Sequence, residues 1–262
     1  MSAAARRIGR LAGKTAIISA AAGAGLGQAT ARRFALEGAN VVLTDAHERR
    51  AFEVAASIAE ESGHEVLALR VDVRNRQDIE TCVLTAAAHF GRIDILVNNA
   101  GINKTSNLWE TSDEDWNDVV DVNLTGTFRF TRAVLPHMIA NKSGAILNVS
   151  SIGAWNSNLG GPAQAAYAAA KAGVMALTRA TAAEAGPHGV RSNAIAPGLI
   201  SNPFLEQTYD AAWLQAKAGD TVVGRVGQND DFTGAAVFLC SGEAGFITGE
   251  SLCVSGGWHM HP

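Results

Sequence analysis

Short apolar runs alternate with longer amphipathic segments along most of the chain, and this alternation limits the fold more than any other feature. The runs TAIIS, NVVLTD, EVLALRVD and IDILVNNAG precede predicted helices over residues 28–37, 47–62 and 76–90 and a long helical region from Ser112. Repeated strand and helix pairs are typical of parallel sheets. Val, Ile and Leu at consecutive strand positions indicate burial on both faces of the sheet.

The second half of the chain continues this pattern. GAILNVSS, a helix over about 164–185, VRSNAIAPG, an irregular segment to about Gly227, a helix near 230–240 and ESLCVSGG follow in order. The pattern predicts an α/β fold of Rossmann type, with a doubly wound seven-stranded parallel sheet and helices on both faces. No linker or repeat divides the chain, so residues 1–262 are expected to form one domain.

Composition and charge narrow the possible partners and location. The net charge of -4 and a pI near 6.0 offer no basic surface, so neither nucleic acid nor a membrane is an expected partner. No apolar run reaches the ~20 residues of a membrane span. The start MSAAARRIGRLAGK lacks a secretory signal's apolar centre and is expected to be disordered, although its arginines faintly resemble a transit peptide. Three scattered cysteines favour the reducing cytoplasm.

The stretch SAAAGAGLG joins the first strand to the first helix. Its alternate glycines, Gly23, Gly25 and Gly27, leave backbone N–H groups and a helix N-terminus open to a pyrophosphate. Asp45 closes the second strand, where its carboxylate would accept the adenosine ribose hydroxyls and repel a 2′-phosphate. NAD is therefore predicted rather than NADP. The neighbouring pair Arg49–Arg50 leaves phosphate binding open as an alternative.

A second group of polar residues belongs to the catalytic half. Tyr167 and Lys171 in YAAAK lie one helical turn apart on one face, so the lysine can favour ionisation of the phenol. Ser151 ends the fifth strand in NVSS, NNAG ends the fourth, and Asn123 interrupts a helix of otherwise apolar spacing. Because the carboxyl ends of parallel strands meet at one edge, these residues are predicted to converge there.

In their order, these motifs resemble those of the short-chain dehydrogenase/reductase family, single-domain type, from about Leu11 to Gly257. The resemblance implies that Tyr167 is the proton donor or acceptor and that Ser151 hydrogen-bonds the substrate oxygen. It also implies that Lys171 grips the nicotinamide ribose and lowers the pKa of Tyr167, while Asn123 orders a water relay. A homotetramer is the implied assembly, and no metal is implied.

The same resemblance implies a set of NAD contacts spread over five strand ends, with Asp72 and Val73 at the adenine. The complete set is Ala21, Gly23, Gly25, Leu26, Gly27, Asp45, Asp72, Val73, Asn99, Ala100, Gly101, Tyr167, Lys171, Pro197, Gly198, Ile200 and Asn202.

The chain departs from the family pattern at three places. Ala20 and Ala21 stand where the family has Thr-Gly, and we expect Ala21 to keep a negative φ with its methyl group beside the adenosine ribose. The interval from Ser151 to Tyr167 is 16 residues, longer than usual, which leaves Ser150 and Ser157 as alternatives to Ser151. Asn202 replaces a frequent threonine.

A lid over about 199–226 is expected to cover the substrate. Its large apolar and aromatic residues suggest a bulky apolar substrate, although packing of the lid on its own core explains them equally well: Leu199, Phe204, Leu205, Tyr209, Trp213 and Leu214. Trp109 and Trp155 are candidate pocket walls. The pair His259 and His261 is predicted to form a subunit contact, because two imidazoles make a weak metal site.

Together these features predict an NAD(H)-dependent oxidoreductase that interconverts a secondary alcohol and a ketone. AAAGAGLGQATARR with TDAHERR resembles reductases of CoA-linked steroid fragments, whereas the ending ITGESLCVSGGWHM resembles sugar or alcohol dehydrogenases and acyl-carrier-protein reductases. A sugar or polyol dehydrogenase therefore stays an alternative. A second alternative is an NAD-binding sensor or scaffold of the same fold that carries out no turnover.

Overall fold

A computed structural model describes residues 9–156, 163–208 and 210–261 of the chain. Within these ranges seven strands form one sheet: β1 (Thr15–Ile18), β2 (Asn40–Asp45), β3 (Val66–Arg70), β4 (Ile95–Asn98), β5 (Gly144–Val149), β6 (Val190–Pro197) and β7 (Ser251–Val254). Every pair of neighbours is parallel, in the order β3-β2-β1-β4-β5-β6-β7. The predicted seven-stranded parallel sheet is confirmed.

The helices of the described ranges are α1 (Leu26–Leu36), α2 (Glu48–Ser62), α3 (Arg76–Phe90), α4 (Asp113–Val120), α5 (Gly126–Ala140), α6 (Ala165–Ala185), α7 (Pro203–Thr208), α8 (Ala211–Gly219) and α9 (Asn229–Cys240). Helices α1, α2 and α9 pack on one face of the sheet, and α3, α5 and α6 pack on the other. In β1, Ile18 and Ile17 belong to opposite cores, so the strand is buried on both faces as predicted. None of these helices is long and apolar enough to span a bilayer.

The strand order places a crevice at the carboxyl ends of β1 and β4. From β1 the chain winds outward through β2 to β3, and it then returns to the other side of β1 to form β4. The connections after β1 and β4 consequently leave the sheet in opposite directions, and ligands of such sheets bind at this reversal. Ser19 and Asn99 directly follow the two strands.

Two predicted segments differ from the structure. The long helix after Ser112 is interrupted by one π-helical turn, Asp121–Thr125, which separates α4 from α5. The segment before Gly227, predicted to be irregular, contains α7 and α8. Both helices begin at local caps, since Asn202 Oδ1 accepts from Leu205 N and Asp210 Oδ1 accepts from Trp213 N.

Candidate active site

The turn after β1 is held by the residues that follow β4. Ser19 Oγ accepts hydrogen bonds from the N–H groups of Asn99 at 2.9 Å and Ala100 at 3.0 Å. The Asn99 amide nitrogen Nδ2 donates to the carbonyls of Ser19 at 3.0 Å and Ala20 at 3.1 Å. Asn99 and Ala100, predicted as cofactor contacts, therefore also fix the conformation of the glycine-rich turn.

The unusual backbone conformation in this turn belongs to Ala20. Among the described residues other than glycine, positive φ occurs at Ala20, with φ 52°, and at Lys142. The predicted negative φ of Ala21 is confirmed. The expectation that the Ala21 methyl lies beside the ribose is wrong, because Ala21 is fully buried in the core and its N–H donates to Thr44 O. Ala20 lines the cleft instead, and the sequence did not distinguish the two alanines.

The glycines of the turn have two different functions. A β-carbon on Gly23 or Gly25 would meet no atom within 4 Å, so both leave the backbone accessible. Gly25 is the N-cap of α1. No side chain caps this helix and no acid lies in its first turn, so the N–H groups at the start of α1 remain open to an anion. On Gly27 a β-carbon would collide with Asn99 Nδ2 and Ala20 O. Gly27 therefore allows close packing, whereas Leu26 lines the cleft.

Asp45 connects the end of β2 to the same turn. Its carboxylate accepts from Ala22 N at 3.1 Å and from His47 N at 2.9 Å, and the residue is 7% exposed. The Arg50 guanidinium lies 3.8 Å from Asp45 Oδ1, whereas Arg49 is exposed and faces Glu53. Asp45 thus places a negative charge beside the turn and also supports its backbone.

Asp72 and Val73 follow β3 but lie outside the catalytic cleft. Arg74 binds both carboxylate oxygens of Asp72 and holds the pKa of that group below its usual value. The Val73 side chain is buried, and a β-carbon on Gly126 would lie 2.9 Å from it. Any contact between Val73 and an adenine would therefore use the main chain.

Tyr167, Lys171 and Ser151 come together where β5 meets α6. The Lys171 Nζ donates to Val149 O at 2.8 Å and lies 5.5 Å from the centroid of the Tyr167 ring. Ser151 Oγ accepts from Gly153 N at 3.1 Å, and a β-carbon on Gly153 would lie 3.3 Å from that Oγ and 3.9 Å from Tyr167 Cε1. The strand end and the helix thus bring together three of the four predicted catalytic side chains.

Burial changes the ionisation of both helix residues. It raises the pKa of Tyr167, an effect that the hydrogen bond with Ser151 opposes. It also lowers the pKa of Lys171 to about 8. Lys171 was expected to lower the pKa of Tyr167, but in this structure the net direction for the phenol is upward, so Tyr167 carries its proton at neutral pH.

Asn123, the fourth predicted catalytic residue, lies in the π-helical turn and is fully buried. Its Nδ2 donates to Val119 O and Ile102 O, both at 2.8 Å. Its Oδ1 is buried and has no hydrogen-bond partner. A β-carbon on Gly101 would lie 2.8 Å from this Oδ1 and 3.3 Å from Lys171 Nζ, so both polar atoms face the same small volume.

The structure separates the alternatives for the predicted serine. Ser150 is buried, and its hydroxyl donates to Lys171 O at 2.9 Å, so it supports the backbone of α6. Ser151 is the serine beside Tyr167, since its Oγ and Tyr167 Cε1 would lie 3.3 and 3.9 Å from a β-carbon on Gly153. Ser157 lies outside the described residues.

The residues after β6 form the opposite side of the cleft. Gly198 N donates to Val254 O at 2.9 Å, and a β-carbon on Gly198 would lie 3.0 Å from Ser255 Cα. Asn202 Oδ1 accepts from Leu205 N at 3.1 Å and so stabilises the start of α7. Pro197 and Ile200 also line the cleft.

The cleft has a volume of about 600 Å³ and combines three of the predicted catalytic side chains with apolar side chains. Its lining consists of Ala20, Leu26, Asn99, Gly101, Ile102, Asn103, Val149, Ser150, Ser151, Ile152, Gln164, Tyr167, Lys171, Pro197, Gly198, Leu199, Ile200, Asn202, Leu205 and Trp258. Gln164 and Trp258 were missed by the sequence analysis. Gln164 Oε1 accepts from Asn103 Nδ2 at 3.0 Å and connects two loops at the entrance. The sequence signal for Gln164 was its position three residues before Tyr167.

The predicted aromatic walls are arranged differently from the expectation. Trp109 is 83% exposed and does not line the cleft. Trp155 instead stacks on His259 and His261, with ring centroids 5.0 and 4.6 Å away. Among the lid residues, Leu199 and Leu205 line the cleft, whereas Trp213 and Leu214 do not. Tyr209 and the Phe204 side chain lie outside the described part of the chain.

No group of three or more metal-binding side chains occurs among the residues described. A comparison with protein families identifies the family of this chain. A family model described as enoyl-(acyl carrier protein) reductase, of the short-chain dehydrogenase/reductase type, matches residues 20–259. The chain belongs to the short-chain dehydrogenase/reductase family.

Individual members of this family are similar over nearly the whole chain. The chain is 40% identical to the (5R,7aS)-5-hydroxy-7a-methyl-1-oxo-2,3,5,6,7,7a-hexahydro-1H-indene-carboxyl-CoA reductase of Mycobacterium tuberculosis, over 94% of each protein. It is 37% identical to the 3-oxoacyl-acyl-carrier-protein reductase FabG of Thermotoga maritima, over 95% of this chain and 98% of that one. A solved structure of 7 alpha-hydroxysteroid dehydrogenase with NADH and 7-oxo glycochenodeoxycholic acid is 34% identical, with a TM-score of 0.88 over 95% of each chain.

This family of oxidoreductases uses a nicotinamide cofactor, and the residues present are compatible with one. The open N-terminus of α1 with Gly23 and Gly25 suits a pyrophosphate. The buried, unpaired Asn123 Oδ1 and the nearby Lys171 Nζ provide polar groups deeper in the cleft.

Proposed function

We propose that this protein is an NAD(H)-dependent oxidoreductase that interconverts a secondary alcohol and a ketone on a bulky apolar or CoA-linked substrate. The observation that carries the proposal is the convergence of Tyr167, Ser151 and Lys171 in one cleft that also presents large apolar side chains. A proton-transferring phenol in partly apolar surroundings suits a carbonyl or carbinol oxygen on an apolar molecule.

When bound, the nicotinamide cofactor supplies or accepts the hydride. The turn glycines Gly23 and Gly25 and the α1 N-terminus would hold its pyrophosphate, and Asp45 would hold the adenosine ribose. Lys171 would hold the nicotinamide ribose, beside Gly101 and the backbone of Gly198 and Ile200.

The proton is handled by the side chains of this chain. In the direction of reduction, the Tyr167 hydroxyl donates its proton to the substrate oxygen, and in oxidation the phenolate accepts it. Ser151 is placed to orient Tyr167 and to donate to the same substrate oxygen. Because the pKa of Tyr167 is raised, its hydroxyl is the form present at neutral pH, which suits ketone reduction.

Asp45 favours NAD over NADP in this proposal. The 2′-phosphate of NADP would lie close to the buried Asp45 carboxylate, and two negative charges in a poorly solvated place repel strongly. The steroid dehydrogenase of similar structure was crystallised with NADH, which agrees with this preference. Arg50 offers a counter-charge beside Asp45, so the choice of cofactor requires measurement.

The names of two related proteins refer to large apolar or thioester-linked molecules. One is a reductase of a CoA-linked indene derivative, and the other is a hydroxysteroid dehydrogenase. Large apolar side chains contribute much of the cleft lining: Leu26, Ile102, Ile152, Leu199, Leu205 and Trp258. A bulky ketone is therefore preferred over a sugar or polyol.

The test is oxidation of NADH in the presence of a panel of cyclic, CoA-linked, open-chain and sugar ketones, followed by absorbance. We expect turnover with a cyclic or CoA-linked ketone and a loss of at least ~100-fold in Tyr167→Phe, which removes only the hydroxyl. NADH binding by the wild type without turnover on any ketone or alcohol would indicate the sensor or scaffold instead.

The proposal includes assembly as a homotetramer in the cytoplasm, as the family resemblance implies. Light scattering coupled to size-exclusion chromatography measures the assembly. A monomeric mass at micromolar concentration would contradict it.

A further inference from the structure

We propose that Trp258 selects ring-bearing substrates and forms part of the substrate wall of the cleft. This inference rests on the proposed ketone reductase function and identifies a residue that determines its specificity. The indole of Trp258 lines the same cleft as Tyr167 and Ser151.

The backbone before Trp258 turns sharply toward the cleft. Gly256 and Gly257 have φ of 62° and 82°, values that favour glycine, and Trp258 N donates to Ser255 O at 3.2 Å. A β-carbon on Gly257 would lie 2.8 Å from Val222. These constraints determine the direction in which the chain leaves β7 and carry Trp258 to the cleft.

The residues after Trp258 are attached to the loop that carries Ser151. The His259 and His261 rings stack on Trp155 at centroid distances of 5.0 and 4.6 Å. His259 O accepts from Ser255 Oγ at 3.2 Å, and His259 N donates to the same hydroxyl at 3.2 Å. The end of the described chain is therefore held beside the catalytic loop.

A lysine of the lid, Lys217, also contacts the Trp258 ring. The Lys217 Nζ of α8 lies 5.4 Å from the centroid of the Trp258 ring and 2.9 Å from Asp220 Oδ2. The Lys217 side chain is 13% exposed, so its charge is close to the ring in a partly desolvated place. A cation over an aromatic face restrains the orientation of the ring, so Trp258 is ordered before the substrate binds.

A flat indole in this position discriminates by shape. The cleft also contains Ile102, Ile152, Leu199 and Leu205, which complete an apolar surface around the reacting oxygen's position. A fused or aromatic ring can cover the indole face, whereas a flexible open chain covers less of it and loses more conformational freedom. The contact should therefore improve binding of ring ketones selectively.

The experiment compares Trp258→Ala and Trp258→Phe with wild type on a bicyclic ketone and on an open-chain ketone of equal carbon number. We expect Trp258→Ala to raise the KM for the bicyclic ketone about tenfold, with a smaller than about threefold change for the open-chain ketone. Trp258→Phe keeps an aromatic ring and disturbs the packing less, so its KM for the bicyclic ketone should lie between those of wild type and Trp258→Ala. The matched control, Trp109→Ala, removes an exposed tryptophan outside the cleft and should change neither value.

Equal changes for the two ketones in Trp258→Ala, or no change in either, would overturn the inference and leave the proposed function intact. If the wild type oxidises NADH in the presence of none of the ketones tested, the proposed function itself is contradicted, and this inference loses its basis. Circular dichroism and NADH fluorescence verify that each variant is folded and retains the cofactor site.

Discussion

Asn123 and Lys171 direct polar atoms at one small volume beside Gly101. Asn123 Oδ1 and Lys171 Nζ would lie 2.8 and 3.3 Å from a β-carbon placed on that glycine. Since Asn123 Oδ1 is buried without a partner, the volume suits a small polar molecule or a ligand hydroxyl that can donate to it. This relationship makes Gly101 a sensitive position.

Gly101→Ala should therefore reduce kcat at least ~tenfold while the fold is retained. Asn123 cannot move aside easily, because its Nδ2 is held by two backbone carbonyls. Steady-state kinetics measure the effect. Gly234→Ala is the control, since a β-carbon there meets no atom within 4 Å. Equal activities of the two variants would contradict this account of Gly101.

Ser151 and Ser150 are adjacent but should respond differently to alanine substitution. Ser151→Ala removes the hydroxyl that lies beside Tyr167 in the cleft and should lower kcat at least ~100-fold with little change in Tm. Ser150→Ala removes the buried hydrogen bond to Lys171 O and should cost about 1 kcal/mol of stability, with kcat within severalfold of wild type. Thermal melts and NADH assays on both variants decide the assignment, and reversed effects would show that Ser150 is the catalytic serine.

Lys171 should make stability depend on alkaline pH. Its pKa is lowered to about 8 by burial, whereas an unfolded lysine keeps a pKa of ~10.4. Between these values the unfolded chain binds a proton that the folded protein does not, so this group's contribution to stability rises with pH. Below the folded pKa, the buried charge is a penalty of ~3 kcal/mol.

Lys171→Met lacks this titration. Its free energy of unfolding minus that of wild type should be largest near pH 7 and fall by ~3 kcal/mol by pH 10.5. The measurement is denaturant unfolding of the cofactor-free proteins across this range. Other titrating groups cancel in the difference, so parallel pH curves would mean that the amine is not perturbed.

Asp45→Asn should shift the cofactor preference toward NADP(H). The variant removes the charge and keeps one of the two acceptor oxygens, so one of the two N–H groups, of Ala22 or of His47, loses its partner; circular dichroism checks that the fold is retained. We expect the ratio of kcat/KM for NADPH to that for NADH to rise ~tenfold or more, in line with ~1.4 kcal/mol of relieved repulsion. Asp113→Asn, an exposed change of the same charge, is the control. An unchanged ratio in Asp45→Asn would contradict the role of this carboxylate.

The two alanines of the turn should respond in opposite directions to glycine. Ala20→Gly relieves a left-handed backbone conformation worth ~1–2 kcal/mol and loses ~0.5–1 kcal/mol of chain entropy, so it should be neutral or stabilising. Ala21→Gly removes a buried methyl group and should destabilise by about 1 kcal/mol or more. Chemical denaturation measures both, and a clearly destabilised Ala20→Gly would refute the assignment of strain to Ala20.

The sequence by itself determined the fold class and the candidates for the site. Apolar strand runs and amphipathic helices arise from local periodicity, and glycine spacing with Asp45 or Tyr167 with Lys171 depends on neighbours along the chain. These features are therefore visible without a structure. The parallel sheet brings the strand ends together, which explains why the residues predicted to be catalytic lie near one another.

Tertiary structure alone decided the features that depend on distant contacts. The left-handed turn at Ala20 depends on Asn99 from another strand end, and the unpaired Asn123 oxygen depends on a π-helical turn packed beside Gly101. The place of Trp258 depends on Lys217 of the lid and on histidines stacked against Trp155. Such contacts join residues far apart in the chain, and no local pattern of residue types records which of them meet.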